Sequence, residues 1–114
     1  MEKIRDEELI ERFRLMDNRK KRWFNNYEYV TNKEYDELTI GEEIKIINRV
    51  NNVREGPYSI LEKYLGGEEV FWRVENENGR RFIMYPSQHY IFRRIYSGKK
   101  DFRYLIETLV EKIK

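Results

Sequence analysis

The apolar positions change period twice along this chain. Ile4, Leu9, Ile10, Phe13 and Met16 recur at near-helical spacing through a segment without Gly or Pro, which predicts an amphipathic helix over Arg5–Met16. Asp6, Glu7 and Glu8 fall in its first turn, where carboxylates suit the positive end of the helix dipole. From Leu38 the period becomes two. Ile44, Ile46 and Val50 share one parity with Lys45 and Arg49 on the other, so 44–50 reads as a strand. Further strands are expected at Tyr58–Tyr64, Glu69–Glu75, Arg80–Tyr85 and Tyr90–Ile95. They are punctuated by Gly56-Pro57, Gly66-Gly67, the tight-turn pair Asn78-Gly79, and a single helical turn at Pro86-Ser87-Gln88. The helical period then returns. Phe102, Leu105, Ile106, Leu109, Val110 and Ile113 form one stripe behind Asp101, a suitable N-cap. Residues 25–37 are polar and rich in Tyr and Asn, and Thr31 or Asn32 caps a short helix running through Glu37.

These elements predict an α+β chain in one domain: a helical and irregular N-terminal extension over 1–37, a small five-stranded antiparallel barrel over 38–96, and a C-terminal helix over 101–113. Within the barrel, Phe71-Trp72-Arg73-Val74 is followed by Gly79 and then by Pro86-Ser87 with Tyr90-Ile91. This order resembles the SH3 domain family over about residues 38–95. The resemblance implies an SH3-like barrel in which Phe71 stands where the family has its ligand-facing Trp. It implies that Val74 is the small core residue and that Pro86 and Tyr90 lie on a partner-binding groove. Strand alternation separately puts Trp72 inward with Val70 and Val74, and Phe71 outward. Phe71, Pro86, Tyr90 and Tyr58 are therefore the expected contact face for a protein partner.

Composition narrows the chemistry. There is no Cys, which removes disulfides, thiolate nucleophiles and Cys-based zinc sites. One histidine, His89, sits near Ser87 in a turn, without a nucleophile elbow or a Gly-rich phosphate cradle. The Glu pairs at 7–8, 42–43 and 68–69 have no His or Cys beside them to complete a metal ligand set. The expectation is a non-enzymatic protein with no metal or cofactor. No run approaches the ~18 apolar residues of a membrane span, so the cytoplasm is the expected location. Ala is absent while Ile, Tyr, Asn, Lys and Glu are abundant, the usage of an AT-rich microbial, phage or plasmid genome. Nine Tyr, six Phe and two Trp exceed what a core of this size hides, and Tyr, Trp and Arg dominate binding hot spots. A small regulator or inhibitor acting through protein–protein contact fits these features.

The charge is uneven. Residues 1–78 carry 14 Lys and Arg against 18 Asp and Glu, whereas 79–114 carry 9 against 3. The alternative function is thus direct DNA or RNA binding by a basic barrel edge made of Arg80, Arg81, Arg93, Arg94, Lys99 and Lys100. The run Arg19–Phe24, four cations entering two aromatics, either joins that surface or packs Trp23 and Phe24 on the core while its charges face water.

Overall fold

A computed structural model gives the structure over residues 6–113. Two α-helices open the chain, α1 (Asp6–Arg14) and the short α2 (Asn18–Arg22), and strand β1 (Tyr27–Val30) follows. A 3-10 segment η1 (Asn32–Glu37) leads into the meander β2 (Glu43–Asn48), β3 (Arg54–Gly66), β4 (Glu69–Asn76) and β5 (Arg81–Met84). The 3-10 turn η2 (Pro86–Gln88), strand β6 (His89–Arg94) and helix α3 (Phe102–Ile113) complete it. All strand pairs are antiparallel, in the order β1-β6-β2-β3-β4-β5. The sheet has six strands and does not close, so the expected five-stranded barrel is replaced by an open sheet with edges at β1 and β5.

The unexpected strand is β1. Its Tyr-Glu-Tyr-Val alternation is only four residues long and lies within a polar stretch, too brief to stand out as a strand. Pairing with β6 aligns Tyr29 with Phe92 and Val30 with Ile91. Asp17 is the N-cap of α2, its Oδ1 accepting the Lys20 N–H at 2.8 Å. The expected helix through Glu37 forms as η1, and the turn at Pro86–Gln88 forms as η2.

Alternation in β6 and β2 sends side chains into two separate cores. Tyr90 and Phe92 of β6 and Ile47 of β2 join Leu9, Phe13, Phe24 and Leu105 beneath the helices. Ile91 of β6 and Ile44 and Ile46 of β2 join Ile60, Trp72 and Val74 inside the curved sheet. The helix-side core is largely aromatic: Phe92 lies 5.1 Å from Phe24 and 5.7 Å from both Phe13 and Tyr29, centroid to centroid. Phe24 is fully buried and Trp23 half-buried, so the aromatics of the Arg19–Phe24 run anchor it to the core. Two residues depart from the expected outward parity. Arg49 is buried, its Nε donating to the His89 carbonyl at 3.2 Å and its guanidinium stacking 4.1 Å over Tyr90. Lys45 is half-buried, 4.6 Å from the rings of both Trp23 and Tyr27, and burial lowers its pKa.

Strand β3 reaches 13 residues because it bends, with a register shift against β4 between Ile60 and Glu62. Near its start Gly56 (φ +122°) lies so close to β2 that a Cβ there would be 3.1 Å from the Ile44 carbonyl oxygen. The two sheet edges differ. Helix α3 packs on β1, and Lys112 Nζ donates to the Tyr29 carbonyl at 2.6 Å. Edge strand β5 keeps Phe82 and Ile83 exposed.

Lys112 also pairs with Glu34 at 3.2 Å, tying α3 to η1. Burial alone would raise the Glu34 pKa, but the Thr31 N–H and hydroxyl and the Lys112 ammonium outweigh it and hold the carboxylate below its usual range. A depressed pKa contributes stability above the unfolded value of about 4.3, and that contribution is lost as pH falls through the folded value. Glu34→Gln is therefore expected to cost about 1 kcal/mol in urea unfolding at neutral pH, with the gap to wild type shrinking below about pH 4. A gap independent of pH would contradict this role.

Candidate functional site

The four residues expected to form one contact face do not form one. Tyr90 is 0% exposed, because its β6 position faces the helix-side core. Pro86 is buried as the first residue of η2. Tyr58 is half-buried against the inner core, where its hydroxyl donates to Glu55 Oε2 at 3.0 Å. Burial and that carboxylate push its pKa up to about 12. Phe71 faces outward, as alternation required, but its ring is engaged: it stacks on Tyr64 at 5.1 Å, lies 6.3 Å from Tyr85, and covers Gly66.

Pro86 nevertheless borders a groove. The β3–β4 hairpin extends beyond the inner core, and under it lies a hollow of about 650 Å³. Tyr35, Trp72 and Pro86 line its inner part, and Tyr64, Leu65 and Val70 belong to the overhanging hairpin. Register explains the hairpin's contribution. Leu65 pairs with Val70 and Lys63 with Trp72, so Leu65 and Val70 continue the inward face past the point where the core ends. They are left 74% and 46% exposed. Asp36, Glu68 and Glu69 also line the hollow, and among the described residues none of the three has an ion-pair partner. Lys63 does not offset them at the surface, since its Nζ donates to the carbonyls of Leu38 at 2.6 Å and Tyr35 at 2.9 Å. Trp72 Nε1–H is buried without a hydrogen-bond acceptor. Leu65, Val70, Tyr35 and Asp36 were not singled out from the sequence. The available signal was two aliphatic residues close to either side of Gly66-Gly67, at a hairpin tip where no core is left to take them.

The basic residues separate into two groups. Arg80–Arg81 and Arg93–Arg94 do not share an edge, because β6 is an interior strand and β2, β3 and β4 stand between it and β5. Arg93 Nη2 bonds Glu42 at 2.6 Å, Arg94 lies 3.8 Å from Glu43, and Arg81 lies 3.3 Å from Glu75. Glu43 also accepts the Tyr27 hydroxyl, which burial and this carboxylate hold protonated well above the usual tyrosine range. Much of the C-terminal positive charge is thus paired with acidic residues from earlier in the chain. Lys99 and Lys100, by contrast, have no ion-pair partner among the described residues.

His89 is held by backbone. Its Nδ1–H donates to the Tyr85 carbonyl at 2.9 Å, and its own carbonyl accepts from the Tyr35 hydroxyl at 3.2 Å. No group of three or more His, Asp or Glu suited to a metal occurs among the described residues. No helix among them is long and apolar enough to cross a membrane. No known protein family matches the chain, and no curated protein or solved structure is significantly similar to it.

Gly66 sets the position of the Phe71 ring on which Tyr64 rests. A Cβ at Gly66 would lie 2.7 Å from Phe71 Cε1, with the next contacts all on the same ring. Gly66→Ala is therefore expected to displace that ring and cost about 1–2 kcal/mol in wild type, but almost nothing in a Phe71→Ala background. Equal costs in both backgrounds would show the obstacle to be the backbone.

Proposed function

We propose that this chain is a non-catalytic binding module that takes up an extended segment of a partner protein in the groove beneath the β3–β4 hairpin. One observation carries the reading: exposed Leu65 and Val70 overhang a floor of Trp72, Tyr35 and Pro86, bordered by three carboxylates without counter-ions. Apolar side chains left in water beside buried aromatics favour an apolar occupant, at about 25 cal/mol per Å² removed from solvent. The Asp36, Glu68 and Glu69 border selects an occupant that also carries Lys or Arg.

The strand order supports an SH3-like reading of the domain. The five strands β2 to β6, with the single helical turn η2 before the last, keep the element order on which the resemblance rests; β6 returns beside β2, and β1 is an addition. In this reading the surface differs from the one the motifs implied. Tyr90 supports the fold from below, and the hairpin tip and η1 supply the contacts. The protein acts as a small regulator by occupying a surface on its partner.

Selection of a displayed library of random peptides of about 12 residues tests this, since a groove of this kind engages an extended segment of that order. The expected outcome is enrichment of peptides combining aliphatic or proline residues with Lys or Arg. Leu65→Asn with Val70→Thr, both at exposed positions, should weaken the selected peptides about tenfold or more while leaving the melting temperature nearly unchanged. Enrichment of acidic peptides, or full binding by the double variant, would overturn the proposal.

A further inference from the structure

Two basic segments distant in sequence converge on the helix-bearing side of the sheet. Helix α2 contributes Lys21 and Arg22, and the turn between β6 and α3 contributes Lys99, Lys100 and Arg103. They surround two adjoining hollows of about 680 and 500 Å³, which share Asn25, Asp101 and Arg103. Neither hollow shares a lining residue with the groove beneath the hairpin.

Asn26 joins the two segments. It adopts φ +68°, its N–H donates to the Lys100 carbonyl at 2.6 Å, and its Oδ1 accepts the Lys100 N–H at 2.9 Å. Its carbonyl accepts the Ile95 N–H at 2.7 Å, so one residue anchors the start and the end of the turn. The lysines at its end are thereby held beside α2. The sequence offered this joining as one of two readings of the Arg19–Phe24 run, although the two runs lie some 80 positions apart.

The charges here contrast with those on β6. Lys21, Arg22, Lys99 and Lys100 have no ion-pair partner among the described residues. Arg103 has only an exposed 3.6 Å contact with Asp101. Asp101 and Glu107 are the two carboxylates lining the hollows. Asp101 is turned into the first turn of α3, its Oδ1 accepting the Arg103 N–H at 3.0 Å.

We infer that this surface binds the phosphodiester backbone of a nucleic acid. Cationic and amide donors around two neighbouring hollows suit successive phosphates, which are positioned by such contacts without base readout. The lining also argues against other anionic partners. A protein interface would centre on apolar or aromatic anchors, and stable membrane attachment takes an inserted apolar face or lipid chain in addition to a basic cluster. The only apolar or aromatic side chains here are Phe102 and Tyr104, with Lys21 lying 5.7 Å over the first ring and Lys100 lying 5.0 Å over the second. The result is a polar, positively charged contact, the character of nucleic-acid interfaces.

The test is fluorescence anisotropy of the full chain with labelled duplex DNA, single-stranded DNA and single-stranded RNA, each about 20 nucleotides long, between about 0.05 and 0.2 M salt. At least one of these should bind at micromolar Kd in low salt and weaken about a hundredfold across that range, as about four phosphate contacts require. Arg22→Gln/Lys99→Gln/Arg103→Gln alters only exposed side chains and should reduce the salt slope by about 3 and affinity at low salt by tenfold or more. Arg80→Gln/Arg81→Gln, on distant β5, should change affinity by no more than about twofold. Circular dichroism checks that both variants fold. Equal losses per charge in the two variants would mean general electrostatic attraction and overturn the site. So would absence of binding at low salt, or binding to phosphatidylserine vesicles without binding to any nucleic acid.

Discussion

Everything positioned in this molecule depends on two adjacent strands being buried on both faces. Strands β2 and β6 lie side by side, and each sends alternate residues into different cores. A one-residue slip in their register would exchange the two sets, placing Phe92 and Tyr90 inside the curved sheet and Ile91 beneath the helices. The helix-side core is matched to large rings and the inner core to aliphatic side chains around Trp72, so the two sets are not interchangeable. Native register is thus specified from both sides.

The surfaces follow from this arrangement. The inner core ends before the β3–β4 hairpin does, and the overhang leaves Leu65 and Val70 above the hollow that Trp72 and Tyr35 line. The helix-side core brings Phe24 and Phe102 together at 6.1 Å, which sets α2 beside the start of α3 and lets Asn26 hold the turn that carries Lys99 and Lys100. Each surface is thus the solvent-facing consequence of one core layer. An acidic, apolar groove and a basic, polar patch on one small domain would let it engage a protein segment and a nucleic acid through different residues. The ion pairs between β6 and the acids at Glu42 and Glu43 neutralise Arg93 and Arg94, neither of which lines the groove or the patch.

The legible parts of the sequence were those governed by local pattern. The stripe from Phe102 to Leu109 gave α3, Asn78-Gly79 marked the β4–β5 turn, and Pro86-Ser87-Gln88 marked η2, because each is determined by residues close in the chain. Strand β1 was missed because Tyr27–Val30 becomes a strand only by pairing with β6, more than 60 residues later. For the site, Phe71 and Trp72 were correctly assigned outward and inward by parity. Tyr90 could not be assigned that way, because a strand buried on both faces has no solvent side for its alternation to mark. The charge asymmetry was likewise ambiguous, since composition does not distinguish Arg93, bonded to Glu42, from Lys99, which has no such partner.

The central claim is that β2 and β6 form the rigid spine from which both surfaces are held. Native-state hydrogen exchange read residue by residue tests it most directly. The account predicts that the amides of 44–47 and 90–92 exchange only through global unfolding, while those of edge strand β5 exchange through smaller local openings. Exchange from β6 as fast as that from β5 would contradict it, and would mean that the groove and the patch rest on a sheet that opens between them.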